Sequence, residues 1–188
     1  MKNPSDAEIK KIVDEVVSRL MTTASKPPAA QMQPNTATAS AGGKQVAIGA
    51  DHGGYPLKET LKAFLTEKGY LVIDCGTHST DSVDYPDLAY EVAAKVASGQ
   101  AWRGIVIDGA GIGSCMAANK VKGVRAAMCY DYATAFNSRE HNNANVLTLG
   151  AGLIGANLAK QIVTTFLDTK FAGGRHARRV DKIMEIEK

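Results

Sequence analysis

The segment from Gly104 to Lys120 combines residue types that suit a ligand-binding site. It starts with an apolar run at positions 105–107, Ile-Val-Ile, which is typical of a buried parallel strand. Asp108 follows at the predicted carboxyl end of that strand, where open α/β sheets bind their ligands. Glycines that would let the backbone approach a ligand closely come next, at Gly109, Gly111 and Gly113. The segment therefore predicts a carboxylate beside a glycine loop.

This glycine loop leads into a predicted helix that Ser114 is expected to cap. Unpaired N–H groups in such a loop and helix start would suit an anion. The spacing differs from two nucleotide-binding motifs, because the loop lacks both the G-x-G-x-x-G order and a terminal Gly-Lys-Ser/Thr. A tight turn without a ligand is the alternative that the glycines alone leave open.

Further polar residues stand near the ends of predicted strands. Because ligands of doubly wound sheets bind where strands end, we expect these side chains to converge with Asp108 on one crevice. They are Asp51, His52, Tyr85, His141 and Asn142.

Two arginines near the C-terminus form a second candidate group. Arg175 and Arg179 are four residues apart, so they share one face of a helix and could grip a phosphate. A solvated basic helix end is the alternative.

Strands and helices alternate from residue 44 onward, which predicts a doubly wound parallel sheet between two layers of helices. The predicted strands are 46–50, 71–74, 104–108, 125–129 and 146–149. The predicted helices are 56–68, 88–98, 114–120, 132–139, 154–169 and a terminal helix at 181–187.

The first 43 residues differ in character from the rest. Residues 5–23 repeat apolar side chains at helical spacing, with Ser5 and Glu8 as a capping box. Residues 24–43 are rich in Pro, Ala, Ser and Thr, as expected for a linker. We therefore divide the chain into a helix at 1–23, a linker at 24–43 and a catalytic domain at 44–188. The helix could instead fold back on its own domain or mediate oligomerisation.

Composition excludes several classes of protein. A chain of 188 residues with 45% hydrophobic and 22% charged residues is long enough for one globular domain. A formal net charge of +3 is too small to indicate nucleic-acid binding. Three cysteines without metal-ligand spacing favour a reduced, cytoplasmic protein. The sequence shows neither a secretory signal nor an apolar run of the roughly twenty residues that span a membrane.

Residues 45–188 resemble the family of type B ribose-5-phosphate isomerases and the related galactose-6-phosphate isomerase subunits. The resemblance rests on six landmarks in order: Asp51-His52-Gly53-Gly54, Asp84-Tyr85-Pro86, Gly109-x-Gly111-x-Gly113, Ala117-Ala-Asn119-Lys120, Arg139-x-His141-Asn142, and Gly174-Arg175-His176 with Arg179. It implies a Rossmann-like α/β/α dimer, or a tetramer built from two dimers, with active sites between subunits and no metal or other cofactor.

The same resemblance assigns roles to individual residues. It implies that the glycine loop, His52, Arg175 and Arg179 hold phosphate and that His141 helps to open the sugar ring. Asp51, His52, Tyr85 and Asn142 would contact the substrate. On chemical grounds, Asn119 and the loop amides could stabilise an enediolate oxygen. The implied reaction converts ribose 5-phosphate to ribulose 5-phosphate. A hexose phosphate, such as galactose 6-phosphate, and a non-catalytic sugar-phosphate-binding subunit are the alternatives.

The chain departs from the family pattern inside the glycine loop. Many members carry a cysteine base and a threonine where this chain has Asp108 and Ala110, and others have a glutamate in place of Ser114. Aldose–ketose isomerisation needs one base that moves a proton between C1 and C2, and a carboxylate can do this. We therefore expect Asp108 to be the base, assisted by Ser114 and His141. A loop-capping role for Asp108 in a catalytically altered homologue is the alternative, while Cys115 is expected to pack or line the pocket rather than react.

The N-terminal segment has a resemblance of its own. A short amphipathic helix on a Pro/Ala/Ser-rich linker is similar to the encapsulation peptides that direct enzymes into bacterial microcompartments. This resemblance implies that residues 1–23 bind shell or cargo proteins and that the enzyme lies in a microcompartment lumen within the cytoplasm. A membrane-surface role is disfavoured because acidic residues offset the lysines and the helix carries no bulky aromatic side chain.

Overall fold

The computed structural model describes residues 7–8, 10–11, 13–15 and 43–187. The chain divides into two compact units, residues 1–39 and 40–188. In the first unit, the described residues are helical. The rest of the predicted helix at 5–23, its capping box and nearly all of the predicted linker lie outside the described residues. No helix within the described ranges is both long and apolar enough to cross a bilayer.

The second unit is built on a parallel sheet of five strands in the order β2-β1-β3-β5-β4. The strands are β1 (Gln45–Ala50), β2 (Leu71–Asp74), β3 (Arg103–Asp108), β4 (Ala126–Met128) and β5 (Val146–Gly150). Alternate residues of β1 and β3 pack into two separate hydrophobic clusters, Ile48 and Ile105 into one and Ala47 and Val106 into the other. Helices therefore cover both faces, and the predicted three-layer α/β/α fold is confirmed.

The helices of this unit are α1 (Tyr55–Glu67), α2 (Tyr85–Ala97), α3 (Ile112–Ala118), α4 (Tyr132–Glu140), α5 (Ala156–Asp168) and α6 (Arg175–Met184). Three predicted boundaries were wrong by three residues or more: the start of α2 and both ends of the terminal helix, which ends at Met184 rather than 187. The terminal helix begins at Arg175 rather than 181, because its first turns are basic and bury only Val180, which leaves little apolar periodicity to detect. α2 begins at Tyr85 rather than 88, since Pro86 suits the first turn of a helix.

The start of α3 also differs from the prediction. Ser114 does not cap this helix but lies within its first turn, and the capping position belongs to Gly111. Gly111 has φ +79°, a left-handed conformation that glycine adopts without steric cost. A Cβ at this position would also lie 2.9 Å from the Leu149 carbonyl carbon. Both the backbone conformation and the close packing therefore require glycine here.

A buried ion pair ties α1 to the end of β2. Lys58 is 0% exposed, and its Nζ lies 2.6 Å from Oδ1 of Asp74. Burial pushes the pKa of Asp74 upward, but hydrogen bonds from Lys58, Lys62 and the Gly76 N–H outweigh it and lower the pKa to about 2. Because this folded-state pKa lies below the ordinary value, the stabilisation is present above about pH 4 and is lost as the pH falls toward 2.

We expect Lys58→Met to lower the free energy of unfolding by about 1–3 kcal/mol at pH 7, since it removes the buried partner of Asp74 and leaves only the half-exposed Lys62 and the Gly76 N–H. The deficit should narrow between pH 4 and pH 2, where Asp74 of the native protein gains its proton. Urea unfolding at several pH values measures both effects. Lys62→Met is the matched control, because the Lys62 side chain is 32% exposed and its ion pair should contribute less. A deficit independent of pH would contradict the assignment to Asp74.

Candidate active site

Three loops meet at the carboxyl edge of the sheet, after β1, β3 and β5. The Asp51 N–H donates to the Ile107 carbonyl at 3.1 Å, and the Ala151 N–H donates to the Asp108 carbonyl at 2.8 Å. The Gly152 N–H donates to the Gly109 carbonyl at 3.0 Å. These backbone bonds place Asp51 next to Asp108 and the glycine loop, as the sequence predicts for residues that follow adjacent parallel strands.

Close backbone packing around Gly54 holds this arrangement. A Cβ added to Gly54 would lie 2.5 Å from the Ile107 carbonyl oxygen, whereas one added to Gly53 would meet only the Asp51 carboxylate, at 3.4 Å. We expect Gly54→Ala to cost about 1–3 kcal/mol of stability, because the loop must move away from β3. Gly53→Ala is the matched control and should change the melting temperature little. Equal shifts in the two variants would show that the close approach at Gly54 is unimportant.

The Asp108 carboxylate accepts four hydrogen bonds from its own loop. Oδ1 accepts the N–H groups of Ala110, at 2.8 Å, and of Gly111, while Oδ2 accepts the Ser114 N–H at 3.0 Å and its hydroxyl at 2.5 Å. Burial alone would raise the pKa of Asp108, but the hydrogen bonds from Ser114, Gly111 and Ala110 hold it below its usual range. Asp108 is therefore ionised at neutral pH.

These bonds change the expectation of an anion cradle. The N–H groups of Ala110, Gly111 and Ser114 are not unpaired, since each donates to Asp108. Ser114 is fully buried, and its hydroxyl faces the same carboxylate. These three amides therefore do not form an empty anion site beside the carboxylate. Because the loop turns back over Asp108, its N–H groups bind the Asp108 carboxylate instead of an external anion.

Tyr85 and His52 complete the cluster on this edge. A Cβ added to Gly113 would lie 2.5 Å from the Tyr85 ring, so the first residue of α2 packs directly on the glycine loop. Nδ1 of His52 accepts the Val83 N–H at 3.3 Å, which ties the loop after β1 to the segment before α2. We call this group the carboxyl-edge cluster: Asp51, His52, Tyr85, Asp108, the glycine loop and Ser114.

His141 and Asn142 lie at the opposite edge of the sheet. α4 starts after the carboxyl end of β4 and runs back, so its end at Glu140 lies near the start of β5. The Ala144 N–H donates to the Ser138 carbonyl at 2.9 Å, which closes this turn just before β5. Within one chain these residues do not converge with Asp108, because residues that precede a parallel strand lie at its amino end.

The C-terminal helix joins His141 at this amino edge. The rings of His141 and His176 stack with centroids 4.2 Å apart and an interplanar angle of 7°. Nε of Arg175 lies 3.4 Å from Nε2 of His176, and Arg179 follows one turn later on α6. We call this group the amino-edge cluster: His141, Asn142, Arg175, His176 and Arg179.

Asn119 is bonded to backbone away from the glycine loop. Its side-chain amide donates to the Cys115 and Ala126 carbonyls at 2.9 and 3.0 Å, and its Oδ1 accepts the Ala126 N–H at 2.9 Å. Asn119 therefore joins the end of α3 to the amino end of β4. Its predicted contact with an enediolate would need these bonds to be exchanged.

The sequence interpretation gave no individual role to two residues that contact His141, although Glu140 lies in the polar run before the last strand. Asn137 Nδ2 lies 2.9 Å from Nδ1 of His141, and Glu140 Oε2 lies 2.9 Å from its Nε2. Asn137 precedes His141 by four residues, which is the spacing of neighbours on a helix face, so helical spacing was the available signal.

Comparison with known proteins identifies the family. A family model described as Ribose/Galactose Isomerase matches residues 46–183. Ribose-5-phosphate isomerase B of Escherichia coli K12 is 46% identical over 144 residues, which cover 77% of this chain and 97% of that protein. D-erythrulose-4-phosphate isomerase of Pectobacterium atrosepticum is 45% identical, covering 73% of this chain and 91% of that protein.

A solved structure agrees with this assignment. The ribose-5-phosphate isomerase B of Clostridium thermocellum superposes with a TM-score of 0.75 at 55% identity, covering 76% of this chain and 97% of that one. The matched region is the α/β/α unit that carries both clusters. From the family model, the relatives and the superposition together, the chain belongs to the ribose/galactose isomerase family.

Proposed function

We propose that this sugar-phosphate isomerase interconverts ribose 5-phosphate and ribulose 5-phosphate, with Asp108 as the base. The observation that carries the proposal is an ionised carboxylate in the glycine loop, at the sheet edge where α/β folds bind ligands. Relatives named for ribose 5-phosphate support this choice of substrate. A hexose phosphate remains the alternative substrate, because the loop differs from the pattern common in the family.

Asp108 would take the C2 proton of the open-chain aldose and return it to C1 of the enediolate, while the C2 hydroxyl proton passes to O1, so that C2 becomes the carbonyl and C1 carries the hydroxyl. A base needs a free lone pair, so one of the four hydrogen bonds must open when substrate binds. The Ser114 hydroxyl is the donor that can turn away without moving the backbone. Losing this donor, in a site from which the substrate excludes water, would raise the pKa of Asp108 and make the carboxylate a stronger base.

The cysteines are poorer candidates for the base. Burial raises the pKa of Cys75 and of Cys129 to about 11, so both thiols are protonated at neutral pH. Cys115 Sγ lies 3.5 Å from the Ala126 carbonyl, at the amino end of β4 rather than in the glycine loop.

We further propose that two copies of the chain combine to form each active site, in a homodimer or in a homotetramer of two such dimers. One copy would supply the carboxyl-edge cluster and the other would supply His141, Arg175 and Arg179. The two clusters lie at opposite edges of one sheet, which supports this division. Ile112 and Met116, one turn apart beside the glycine loop, are 49% and 65% exposed, and a second copy could cover these apolar side chains.

The purified protein should be assayed with ribose 5-phosphate, ribulose 5-phosphate and hexose 6-phosphates. The proposal predicts that kcat/KM is highest for ribose 5-phosphate, and a higher value for a six-carbon substrate would replace it with the hexose alternative. Calorimetric binding of ribose 5-phosphate without turnover of any of these compounds would overturn the catalytic proposal. It would indicate the binding subunit instead, in which the hydrogen bonds of Asp108 serve only the loop.

We also propose that residues 1–23 deliver the enzyme into a bacterial microcompartment and that residues 24–43 tether them. The support is the amphipathic pattern of the helix and the composition of the linker. Residues 1–43 fused to a fluorescent protein should form foci only in cells that make a compartment shell. Uniform fluorescence with and without the shell would refute the targeting role.

A further inference from the structure

We infer that Asn137 fixes the proton of His141 on Nε2, beside Glu140, and that this His141–Glu140 pair opens the furanose ring of the substrate. The inference rests on the proposed isomerase function and adds two residues to it. Asn137 acts as a positioning residue, because it contacts His141 rather than the reacting atoms.

The orientation of Asn137 follows from its neighbours. The Asn142 side-chain amide donates to Oδ1 of Asn137 and to its backbone carbonyl, both at 3.2 Å. Because Oδ1 is the accepting atom, Nδ2 is the group that faces His141, at 2.9 Å from Nδ1. An amide nitrogen only donates, so Nδ1 of His141 must present its lone pair.

The contact between Asn137 and Nδ1 determines where the imidazole proton of His141 lies. A neutral imidazole with an accepting Nδ1 carries its proton on Nε2. Nε2 lies 2.9 Å from Oε2 of Glu140, so its N–H donates to a carboxylate. Glu140 is 32% exposed and His141 36% exposed, so a sugar can reach both groups.

The surroundings oppose a proton on the neighbouring His176. His176 stacks on His141, and the charged groups that face the stack are Glu140, Arg175 and Arg179. Partial burial, the neighbouring His141 and the two arginines lower the pKa of His176. His141 therefore stacks on a neutral ring, and the groups that contact its own ring nitrogens are Asn137 and Glu140.

The chemistry of ring opening balances within this pair. The Nε2 proton of His141 passes to the ring oxygen as the bond between C1 and that oxygen breaks. The proton of the C1 hydroxyl passes to the Glu140 carboxylate as the C1 carbonyl forms. Transfer of that proton from Glu140 to Nε2, across the 2.9 Å contact, restores both groups.

The first test reads the tautomer directly. ¹⁵N NMR of the imidazole should show the proton on Nε2 in the unaltered chain. Asn137→Asp keeps the shape of the side chain but replaces the donor with an acceptor, so Nδ1 should gain a proton while Glu140 still accepts from Nε2. Asn137→Leu removes the donor but leaves Glu140 in place, so the Nε2 tautomer should remain the major one. An unprotonated Nδ1 in Asn137→Asp would overturn the inference.

The second test separates ring opening from proton transfer. Ribulose 5-phosphate has no furanose form, since its phosphate occupies the oxygen that would close the ring. Exchange of its C1 hydrogen with deuterium in D₂O therefore reports the enediolate step alone. Glu140→Gln removes the acceptor of the C1 hydroxyl proton, so it should lower kcat/KM for ribose 5-phosphate by about 10²-fold, while C1 exchange changes less than about twofold. Asn137→Asp should show the same split with a smaller loss, because it alters the imidazole but leaves Glu140 in place.

The control for added charge is Ala133→Asp, on the same exposed face of α4 one turn earlier. It should leave both rates unchanged. Equal losses of turnover and of C1 exchange in Asn137→Asp would overturn the inference and assign Asn137 a structural role. Lack of turnover by the unaltered chain would instead refute the proposed function, while the NMR arm would still decide the tautomer.

Discussion

Asp108→Asn is expected to lower kcat for ribose 5-phosphate by about 10³-fold, within the range that general bases contribute. Asparagine keeps the shape of the side chain, but its amide has no basic lone pair for the C2 proton. It also turns one accepting oxygen into a donor that faces the Ser114 N–H and hydroxyl. Some stability should be lost as well, about 1–3 kcal/mol for donors left without a partner.

The loss of loop hydrogen bonds must be separated from the loss of the base. Asp108→Cys is the matched variant. Cysteine lacks the carboxylate and so loses all four hydrogen bonds that Asp108 accepts, but its thiolate can still act as a base. If Asp108 transfers the proton, the cysteine variant should retain more activity than the asparagine variant. Its activity should also rise with pH toward the ordinary thiol pKa of about 8.5, whereas that of the native enzyme should be flat there.

Three results would contradict this assignment. Similar activities in the asparagine and cysteine variants would show that Asp108 acts through the loop only. Native activity in Asp108→Asn would remove it from the mechanism. A large loss of activity in Cys115→Ser, with Asp108→Asn little affected, would transfer the role of base to Cys115.

The sheet and the carboxyl-edge cluster could be predicted because their signals are local. Apolar runs such as 105–107 define strands, and residues directly after such runs must lie at the carboxyl edge, as Asp51 and Asp108 do. The hydrogen bonds of Asp108 could not be predicted from the sequence, because they depend on the path of the loop backbone. An aspartate at this position could lie beside unpaired loop N–H groups or accept hydrogen bonds from them, and only the three-dimensional structure distinguishes the two arrangements.

The amino-edge cluster shows a different limit. His141 and Asn142 were expected beside Asp108 because polar residues near strands were treated alike, whether they preceded or followed a strand. Topology reverses that conclusion, since α4 carries them back to the start of β5. The two clusters can form one site only if a second copy of the chain supplies one of them. Neither composition nor periodicity indicates whether the chain forms a dimer. The resemblance to a family with active sites between subunits was the signal that pointed to it.

Mixing two inactive variants should therefore restore activity. Asp108→Asn inactivates the carboxyl-edge cluster and His141→Asn inactivates the amino-edge cluster, so each homodimer has two defective sites. A mixed dimer places both substitutions in one site and leaves the other site intact. Random exchange of subunits makes half of the dimers mixed, each with one good site of two, which predicts about 25% of native activity.

The magnitude of the recovery tests the geometry. The two variants should be unfolded together and refolded, or coexpressed, and kcat for ribose 5-phosphate measured against each variant alone. The pair Asp108→Asn and Asp51→Asn is the control, because both residues belong to the carboxyl-edge cluster and each mixed site keeps one defect.

No recovery in the first pair, with a dimer confirmed by light scattering, would show that each chain uses its own His141. Recovery in both pairs would show that Asp51 and Asp108 act in different sites, which the 3.1 Å bond between Asp51 and Ile107 opposes. Recovery in the first pair alone would place the reacting sugar between the glycine loop of one copy and the histidine and arginines of the other.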